Sequence, residues 1–531
     1  MRRDFVISNG RLGTLFLLLA MTACSSDEME EVAEEEMNEE IVFNYTSEAK
    51  YNLNIIYFIP TDQKDHKDSH KRLSEIFLHG QNFYKENMRA NGFGDKTFNM
   101  QVDEAHQRVK ITYLNAKNPT SSYPYNGGGA TAQTEIEEYF AANPGESESD
   151  HYIVIIPVSN QDNAQVVPFY GLGKWCFALD FPDMDIQYFG ESSKKGTDAS
   201  KWIGGLMHEL GHGLNLPHNK ERSSDLGNVN KGTALMGAGN TTYGSSPTFI
   251  TEASCAILNN NQVFNTSTDV FYTGASVEIK TFKAFFENGE IKASGTFQTE
   301  AKVNYIGFYN DASDDGTGAN TNYDAVTWAV PVTGNEFSIS MPISELFKRG
   351  DVPYILRLLF NHENGERTTK TFSYEFSNGV PIIDININNE DRVNLEVGNW
   401  SIVSFSSQEE SNSSLANNVI DDDPSTFWHS RWTVDATEYP HELVFDMNEE
   451  LVINGFSFLQ RDGSRKIKDV EIQTSIDNMA WQSQGDYVLQ EINTYQHIEL
   501  VEPNTFRYFK VIAKSAFDGL QFAALAEVKC F

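Results

Sequence analysis

Three histidines and one glutamate stand close together in the segment His208-Glu-Leu-Gly-His212-Gly-Leu-Asn-Leu-Pro-His218. His208 and His212 are four residues apart, so on a helix their side chains share one face and can bind one ion. Pro217 cannot continue a helix, so the chain must turn and bring His218 from another direction. Three imidazoles leave a fourth coordination position open, as in catalytic rather than structural zinc sites.

Glu209 is the acidic residue of this segment, and it directly follows the first histidine. A carboxylate at this place can take a proton from water and pass it to a leaving amine. Zinc held by the histidines would polarise a scissile carbonyl, which is the chemistry of metal-assisted peptide hydrolysis. We therefore expect Zn²⁺ on His208, His212 and His218, with Glu209 as the catalytic residue.

The segment resembles the metzincin superfamily of zinc peptidases, whose pattern is H-E-x-x-H-x-x-G-x-x-H followed by a methionine turn. The three histidines and Glu209 match this pattern, and Asn215 stands where the pattern has glycine. That glycine adopts a left-handed backbone, which Asn tolerates next best. The resemblance implies an α/β metzincin-like catalytic domain, with Met236 of Thr233-Ala-Leu-Met-Gly237 as the methionine beneath the zinc.

The elements that must position these residues alternate between strand and helix over residues 50–270, which predicts an α/β layer ending in the zinc-binding helix. We expect Asp198 or Ser200 to cap that helix. Tyr243 is a candidate hydrogen-bond donor to the oxyanion, with simple packing as the alternative. The predicted strands are 51–59, 109–114, 151–156 as the central strand, and 175–181 as the edge along which an extended substrate lies; the predicted helices are 67–90 and 131–142.

The second half of the chain alternates with period two, which is typical of β-structure. Over residues 275–383, Asn288-Gly289 and Asn364-Gly365 each join two alternating runs, a strong hairpin signal. We predict an immunoglobulin-like or fibronectin-like β-sandwich there, without chemistry of its own and serving as a spacer. Residues 390–531 form a further β-rich unit with short, aromatic strands.

Residues 390–531 resemble the discoidin-like, coagulation-factor type C domain, a β-sandwich or jelly roll that also serves as a carbohydrate-binding module. The resemblance lies in Trp400-Ser-Ile-Val-Ser-Phe-Ser-Ser407, in Val419-Ile-Asp-Asp-Asp-Pro-Ser-Thr-Phe-Trp428 and in Ile467-Lys-Asp-Val-Glu-Ile-Gln-Thr-Ser475. It implies a Ca²⁺ site of hard oxygen ligands, with a polar turn lacking an ion as the alternative. The implied calcium ligands are Asp421, Asp423, Thr426 and Glu527, although Asp422 replaces the usual glycine.

The same resemblance implies a glycan-binding surface of loop aromatics and charged groups. Its candidate residues, which could instead be structural, are His429, Arg431, Trp432 and Arg461. Trp428 is expected in the core.

The N-terminus resembles a bacterial lipoprotein signal, with Arg2 and Arg3, a short apolar run over 12–20 and small residues just before Cys24. We expect residues 1–24 to be a signal peptide ending at a lipidated Cys24; the alternative is an ordinary signal peptide. Nine acidic residues between Asp27 and Glu40 predict that 25–49 is a disordered tether. The resulting expectation is an outer-membrane lipoprotein, exposed at the cell surface and touching the membrane through its lipid alone.

The formal charge of the 531-residue chain is −35, which argues against nucleic acid as a partner. Cys176, Cys255 and Cys530 remain after Cys24, and an odd number excludes a full disulfide framework, although a Cys176–Cys255 bridge stays open. His66 and His70 also have helical spacing, but the charged residues around them predict a solvated helix start.

These observations together predict a surface-anchored zinc endopeptidase acting on proteins or glycoproteins, mucin-like ones among them, with a C-terminal module that binds a glycan. Two alternatives remain at this point. One is a glycan-binding adhesin whose peptidase domain is inactive, against which the intact Glu209 argues. The other is a zinc amidase that acts on cell-wall peptides.

Overall fold

The structure is a computed structural model that describes residues 41–159, 165–312, 323–350, 352–389 and 392–531. The chain divides into one unit over Met1–Phe43 and a second, compact unit over Asn44–Phe531. Cys24, the predicted signal peptide and the predicted tether up to residue 40 lie outside the described residues. Within the described ranges, none of the helices combines the length and the apolar composition that a membrane-spanning helix needs.

The compact unit begins before the predicted domain boundary at residue 50. The Asn44 amide donates to Asp103 Oδ2 at 2.7 Å, and Thr46 pairs with Val102 as an antiparallel bridge. Residues 44–49 are therefore part of the folded domain, and the predicted tether ends too late. Backbone hydrogen bonds to a neighbouring loop hold these residues in place.

The N-terminal part of the unit is a five-stranded sheet with helices packed on it. Four strands run parallel and a short fifth runs antiparallel, in the order β4-β1-β5-β7-β6. Its strands, with two short accessory pairs, are β1 (Asn54–Ile59), β2 (Val102–Asp103), β3 (Arg108–Val109), β4 (Thr112–Asn115), β5 (Tyr152–Pro157), β6 (Gly171–Leu172), β7 (Trp175–Asp180), β8 (Thr233–Ala234) and β9 (Thr248–Phe249). Its helices are α1 (Ser69–Ala90), α2 (Gly128–Ala142), α3 (Lys194–Gly213), α4 (Asn240–Thr242) and α5 (Glu252–Asn259).

The apolar run at 151–156 is confirmed as the central strand, because β5 lies third of five and its inner residues are fully buried. A strand with helices or strands on every side needs apolar residues at successive positions. Helix α3 begins earlier than expected. Ser193 caps it by accepting a hydrogen bond from the Gly196 amide, so the predicted cap at Asp198 or Ser200 is wrong.

Residues 278–388 form a sandwich of two antiparallel sheets, hereafter the sandwich. One sheet has the order β14-β11-β10-β18 and the other β13-β12-β15-β16-β17. Phe282 and Phe372 meet across the two sheets with ring centroids 4.2 Å apart. The strands are β10 (Glu278–Glu287), β11 (Glu290–Gln298), β12 (Val303–Ala312), β13 (Val326–Pro331), β14 (Glu336–Pro342), β15 (Pro353–His362), β16 (Arg367–Ser377), β17 (Val380–Ile382) and β18 (Asp384–Asn388).

The sandwich extends past its predicted end at residue 383, because β18 pairs with β10 and buries Ile385. It is also not a spacer. Tyr309, Ala329 and Leu359 of the sandwich belong to the buried core of the N-terminal α/β part. The expectation of a spacer was wrong because a β-sandwich can bury side chains on an outer face against a neighbour as well as between its sheets.

The C-terminal part is a β-sandwich with its own core around Trp428, which is buried as predicted. Its main sheet has the order β19-β21-β24-β22-β23, with β26 paired to β21. The strands are β19 (Ser401–Phe405), β20 (Trp428–His429), β21 (His441–Leu459), β22 (Asp469–Ser475), β23 (Gln482–Val488), β24 (Gln496–Ala513), β25 (Ala524–Leu525) and β26 (Glu527–Cys530).

Cys176, Cys255 and Cys530 are buried free thiols. Cys176 contacts Gly213 at the end of α3, whereas the Cys255 sulfur lies 3.4 Å from the Asn91 side-chain nitrogen. The Cys176–Cys255 bridge considered from the sequence is therefore not formed, because the fold places the two thiols against different elements.

Candidate active site

Helix α3 and the turn after it bring the three histidines together. The rings of His208 and His212 have centroids 4.9 Å apart, and that of His218 lies 5.3 and 4.4 Å from them. The Nε2 atoms of His212 and His218 are 2.9 Å apart. One ligand atom from each histidine lies within 4.8 Å of the others, and this is the sole such group of His, Cys, Asp and Glu in the described ranges.

Backbone carbonyls orient the two helix histidines. The Leu235 carbonyl oxygen lies 2.7 Å from His208 Nδ1, and the Leu216 carbonyl oxygen lies 2.9 Å from His212 Nδ1. A carbonyl only accepts, so each Nδ1 carries the proton and each Nε2 keeps a lone pair. Burial lowers the pKa of His208 to about 3, and the nearby His212 lowers it by a smaller amount. Both features suit neutral imidazole ligands of a metal.

The turn between His212 and His218 is built as the sequence predicts. Asn215 has φ +70°, the left-handed conformation expected for the residue that replaces the pattern's glycine. The Leu216 amide donates back to the Gly211 carbonyl at 2.9 Å, which closes the end of the helix. The turn thereby brings His218 to the same point as the two helix histidines.

Met236 lies directly beneath the helix histidines. It is 1% exposed and contacts Gly211, the residue before His212. Its carbonyl accepts a hydrogen bond from the Asn219 amide, next to His218, at 3.2 Å. The turn that carries Met236 therefore packs against both the helix with His208 and His212 and the segment that follows His218.

Glu209 borders the same cavity as the histidines and is 8% exposed. Burial raises the pKa of its carboxyl to about 8. A dication beside it would favour the ionised form and act against that shift. The carboxyl group is therefore held at the wall of the cavity, largely away from bulk water.

The cavity has a volume of about 410 Å³ and receives side chains from two parts of the fold. Tyr323 and Arg367 come from the sandwich, and the Tyr323 ring stacks on His218 with centroids 3.7 Å apart. Neither residue could be identified from the sequence, because more than a hundred positions separate them from the motif. The other lining residues are Tyr125, Phe169, Tyr170, Gly171, Gly173, His208, Glu209, His212, Asn215, Leu216, Pro217 and His218.

Tyr243 is not at this cavity. Its hydroxyl lies 2.9 Å from His79 Nε2 on α1, and its ring packs against Phe83 and Phe189. The predicted oxyanion role is wrong, and the packing alternative is observed. The turn after Met236 directs the tyrosine towards α1 rather than towards the histidines.

The predicted substrate edge at 175–181 is also displaced. Strand β7 is fully buried, pairs with β5 on one side, and is covered by β6 at Trp175 and Cys176 on the other. The Phe177 amide donates to the Tyr170 carbonyl at 3.0 Å. The segment that borders the cavity is therefore Phe169–Gly171, because the chain folds back over the edge of β7.

His66 and His70 are not at a solvated helix start. His66 Nδ1 lies 3.3 Å from the buried Asp180 Oδ2, and His70 Nε2 lies 3.1 Å from the Val109 carbonyl. Both are partly buried. They are structural residues, because the charged loop before α1 folds back against the sheet.

Three of the four glycan candidates gather on one face of the C-terminal part. The rings of His429 and Trp432 are 4.3 Å apart, and Trp432 is 37% exposed. Arg461 lies over the ring of Phe427 at 4.0 Å, and its charge helps to lower the pKa of His429, after burial. The structure gives no contact between Arg431 and these three residues within the described ranges; its Nε donates to the Gln408 carbonyl at 3.4 Å.

The calcium candidates form a loop beside a buried carboxyl. Asp421 Oδ2 accepts a hydrogen bond from Thr426 Oγ1 at 2.7 Å. Asp422 has φ +60°, a left-handed conformation that the glycine usual at this position would adopt easily. Glu527 is fully buried, and among the described residues its carboxylate oxygens accept no hydrogen bond. Burial raises the pKa of Glu527 to about 8, with Asp421 contributing. A cation at this place would satisfy the buried carboxylate.

Comparison with known proteins separates the chain into two parts. The F5/8 type C domain matches residues 402–528, which confirms the resemblance of the C-terminal part. A sialidase from Micromonospora viridifaciens is 30% identical over 139 residues, which are 25% of this chain and 22% of that protein. The chain thus matches about a fifth of the length of that relative.

Some solved structures match a larger share of the chain. Wild-type OgpA from Akkermansia muciniphila is 37% identical, with a TM-score of 0.59, over 64% of this chain and 97% of OgpA. Catalytically inactive OgpA in complex with an O-glycopeptide substrate is equally similar, over 64% of this chain and 96% of that one. With this identity over nearly all of OgpA, the chain belongs to the same family as OgpA.

Proposed function

We propose that this chain is a surface-anchored, zinc-dependent endopeptidase of the metzincin type that cleaves O-glycosylated polypeptides. The observation that carries the proposal is the convergence of three histidines and Glu209 on one cavity. The substrate class is taken from OgpA, whose inactive form was crystallised with an O-glycopeptide substrate.

The residues present fit zinc. Three imidazole nitrogens form the ligand group, and among the described residues no fourth His, Cys or carboxylate side chain joins it. Such an open position is typical of catalytic zinc sites. Bound zinc would supply a Lewis acid that polarises the scissile carbonyl and lowers the pKa of water.

The protein's own groups supply the proton transfers. The Glu209 carboxylate takes a proton from the water that adds to the scissile carbonyl carbon. When the carbon–nitrogen bond breaks, the protonated carboxyl gives that proton to the leaving amine. The aromatic side chains of Tyr125, Phe169 and Tyr170 line the cavity and give the substrate apolar faces to pack against.

Cleavage of one O-glycopeptide and its unglycosylated twin, followed by mass spectrometry, tests the proposal. We expect zinc-dependent cleavage of the glycopeptide that a chelator abolishes. Glu209→Gln should keep its zinc yet lose about a hundredfold or more in rate, the usual scale for a general base. Glu86→Gln, at an exposed position of α1, is the matched control and should cleave normally. Full activity of a zinc-loaded Glu209→Gln protein would contradict the assignment.

The same assay separates the two alternatives. A surface adhesin with an inactive peptidase domain would bind the glycopeptide without cleaving it at any zinc concentration. A zinc amidase would leave both peptides intact and hydrolyse cell-wall peptides instead. Cleavage of the glycopeptide at a peptide bond supports the endopeptidase against both.

The C-terminal module is proposed to bind a glycan through Trp432, His429 and Arg461, with Ca²⁺ on the 421–426 loop and Glu527. Glycan-array binding of the full chain with and without calcium tests both parts.

Membrane attachment through a lipid on Cys24 is tested by the incorporation of a labelled fatty acid. The wild-type protein should take up the label, and Cys24→Ser should not. Wild-type protein without label would remove the anchor from the proposal.

A further inference from the structure

The third histidine contacts the sandwich, whereas backbone groups of the α/β part orient the first two. His208 and His212 are oriented by carbonyls of their own domain. The ring of His218 is stacked on Tyr323, which precedes β13 of the sandwich, with an interplanar angle of 24°. A nearly parallel stack restricts rotation of the imidazole out of its plane, so a side chain of the sandwich restrains a proposed zinc ligand.

The sandwich also holds the turn before His218. Arg367, at the start of β16, donates from Nη1 to the Asn215 carbonyl at 2.7 Å. Asn215 is the left-handed residue on which the reversal of the chain depends. A charge-assisted hydrogen bond to this carbonyl fixes the turn from outside the helix.

The chain after His218 runs along the sandwich as well. The Lys220 amide donates to the Ala325 carbonyl at 2.7 Å, and Lys220 pairs with Val326 as a parallel bridge. Farther along, Arg222 Nε donates to the Thr327 carbonyl at 3.0 Å. Strand β13 therefore gains a short added segment that begins two residues after the third histidine.

We propose that the sandwich positions His218 and thereby sets the affinity of the site for zinc, with Tyr323 and Arg367 as positioning residues. Helix α3 alone can place two ligands, while the third lies on a turn that would cost conformational entropy to order. Contacts on both sides of His218 remove that cost before the metal arrives. The inference rests on the zinc site of the proposed function but not on its peptidase activity.

Zinc affinity, measured by competition with a chromophoric chelator, tests the proposal without any substrate. Arg367→Met and Tyr323→Ala should each bind zinc about tenfold more weakly, since groups that orient metal ligands are typically worth about 10–100-fold. Tyr323→Phe should bind normally, because it keeps the ring. Lys292→Met is the matched control: it removes an exposed ion pair to Glu287 on the other sheet of the sandwich.

A second measurement uses the wild-type protein and does not depend on any variant folding well. In the zinc-free protein, amide hydrogen exchange over residues 219–225, where the loop joins the sandwich, should already be about tenfold or more slower than in an unfolded chain, because these contacts are present before the metal arrives. Tight zinc binding by both Arg367→Met and Tyr323→Ala, or exchange over residues 219–225 as fast as in an unfolded chain when zinc is absent, would overturn the inference alone. Wild-type protein that binds no zinc would contradict the proposed function as well.

Discussion

The contact between Gly211 and Met236 leaves no room for a side chain at residue 211, and the effect of adding one on stability can be measured directly. A methyl group on Gly211 would overlap Met236 Sδ and lie 3.1 Å from its Cε and 3.5 Å from the Tyr84 hydroxyl. Ordinary carbon contacts are about 3.5–4.0 Å, so Met236 would have to move. Gly211→Ala should therefore disturb the packing of Met236 against the helix that carries His208 and His212.

Two effects of opposite sign set the size of the change. Alanine stabilises a helix interior by about 1 kcal/mol relative to glycine. Overpacking a fully buried site costs about 1–3 kcal/mol. We expect Gly211→Ala to lower the free energy of unfolding by roughly 0–2 kcal/mol, and Met236→Ala to lower it by about 2–5 kcal/mol through the cavity that it leaves.

Denaturant unfolding of the two single variants and of the double variant completes the test. In Gly211→Ala/Met236→Ala the new methyl group occupies part of the space that the methionine leaves. The double variant should therefore be more stable than the sum of the single changes predicts, by about 1 kcal/mol or more. Additivity to within about 0.5 kcal/mol would refute the packing described here, and with it the place of Met236 under the histidines.

Three further predictions follow from other residues. Burial lowers the pKa of His151 to about 4, so the unfolded chain binds one more proton than the native state between pH 6.5 and 4. The free energy of unfolding should therefore fall by up to about 3 kcal/mol as the pH drops through that window. In His151→Gln the free energy of unfolding should fall less steeply over the same window. Tyr243→Phe should cleave substrate at the wild-type rate, because its hydroxyl meets His79 away from the cavity; a tenfold loss of kcat would contradict this. Trp432→Ala should weaken binding on a glycan array and leave cleavage of a short glycopeptide unchanged; unaltered glycan binding would remove Trp432 from the glycan site.

The convergence of the three histidines could be predicted because their geometry follows from short stretches of chain. Four-residue spacing on a helix places His208 and His212 on one face, and a proline five positions later forces the turn that delivers His218. The left-handed Asn215 was foreseeable for the same reason. Each of these inferences depends on local backbone geometry, and each agrees with the structure.

The residues that the sequence did not reveal depend on packing between distant parts of the chain. Tyr323 and Arg367 reach the cavity because the sandwich packs against the α/β part, and no pattern near the motif encodes that contact. Tyr243 was misplaced because its distance from Met236 along the chain does not fix the direction of its side chain. Likewise, the cysteine count allowed a Cys176–Cys255 bridge that the fold does not bring together.

The most direct test of the central claim is zinc K-edge X-ray absorption of the purified, zinc-loaded protein. The three histidines predict three nitrogen ligands at roughly 2.0–2.1 Å and one oxygen ligand at the open position. His218→Ala should lose one of the nitrogens. A sulfur ligand near 2.3 Å, or an unchanged ligand set in His218→Ala, would contradict the account.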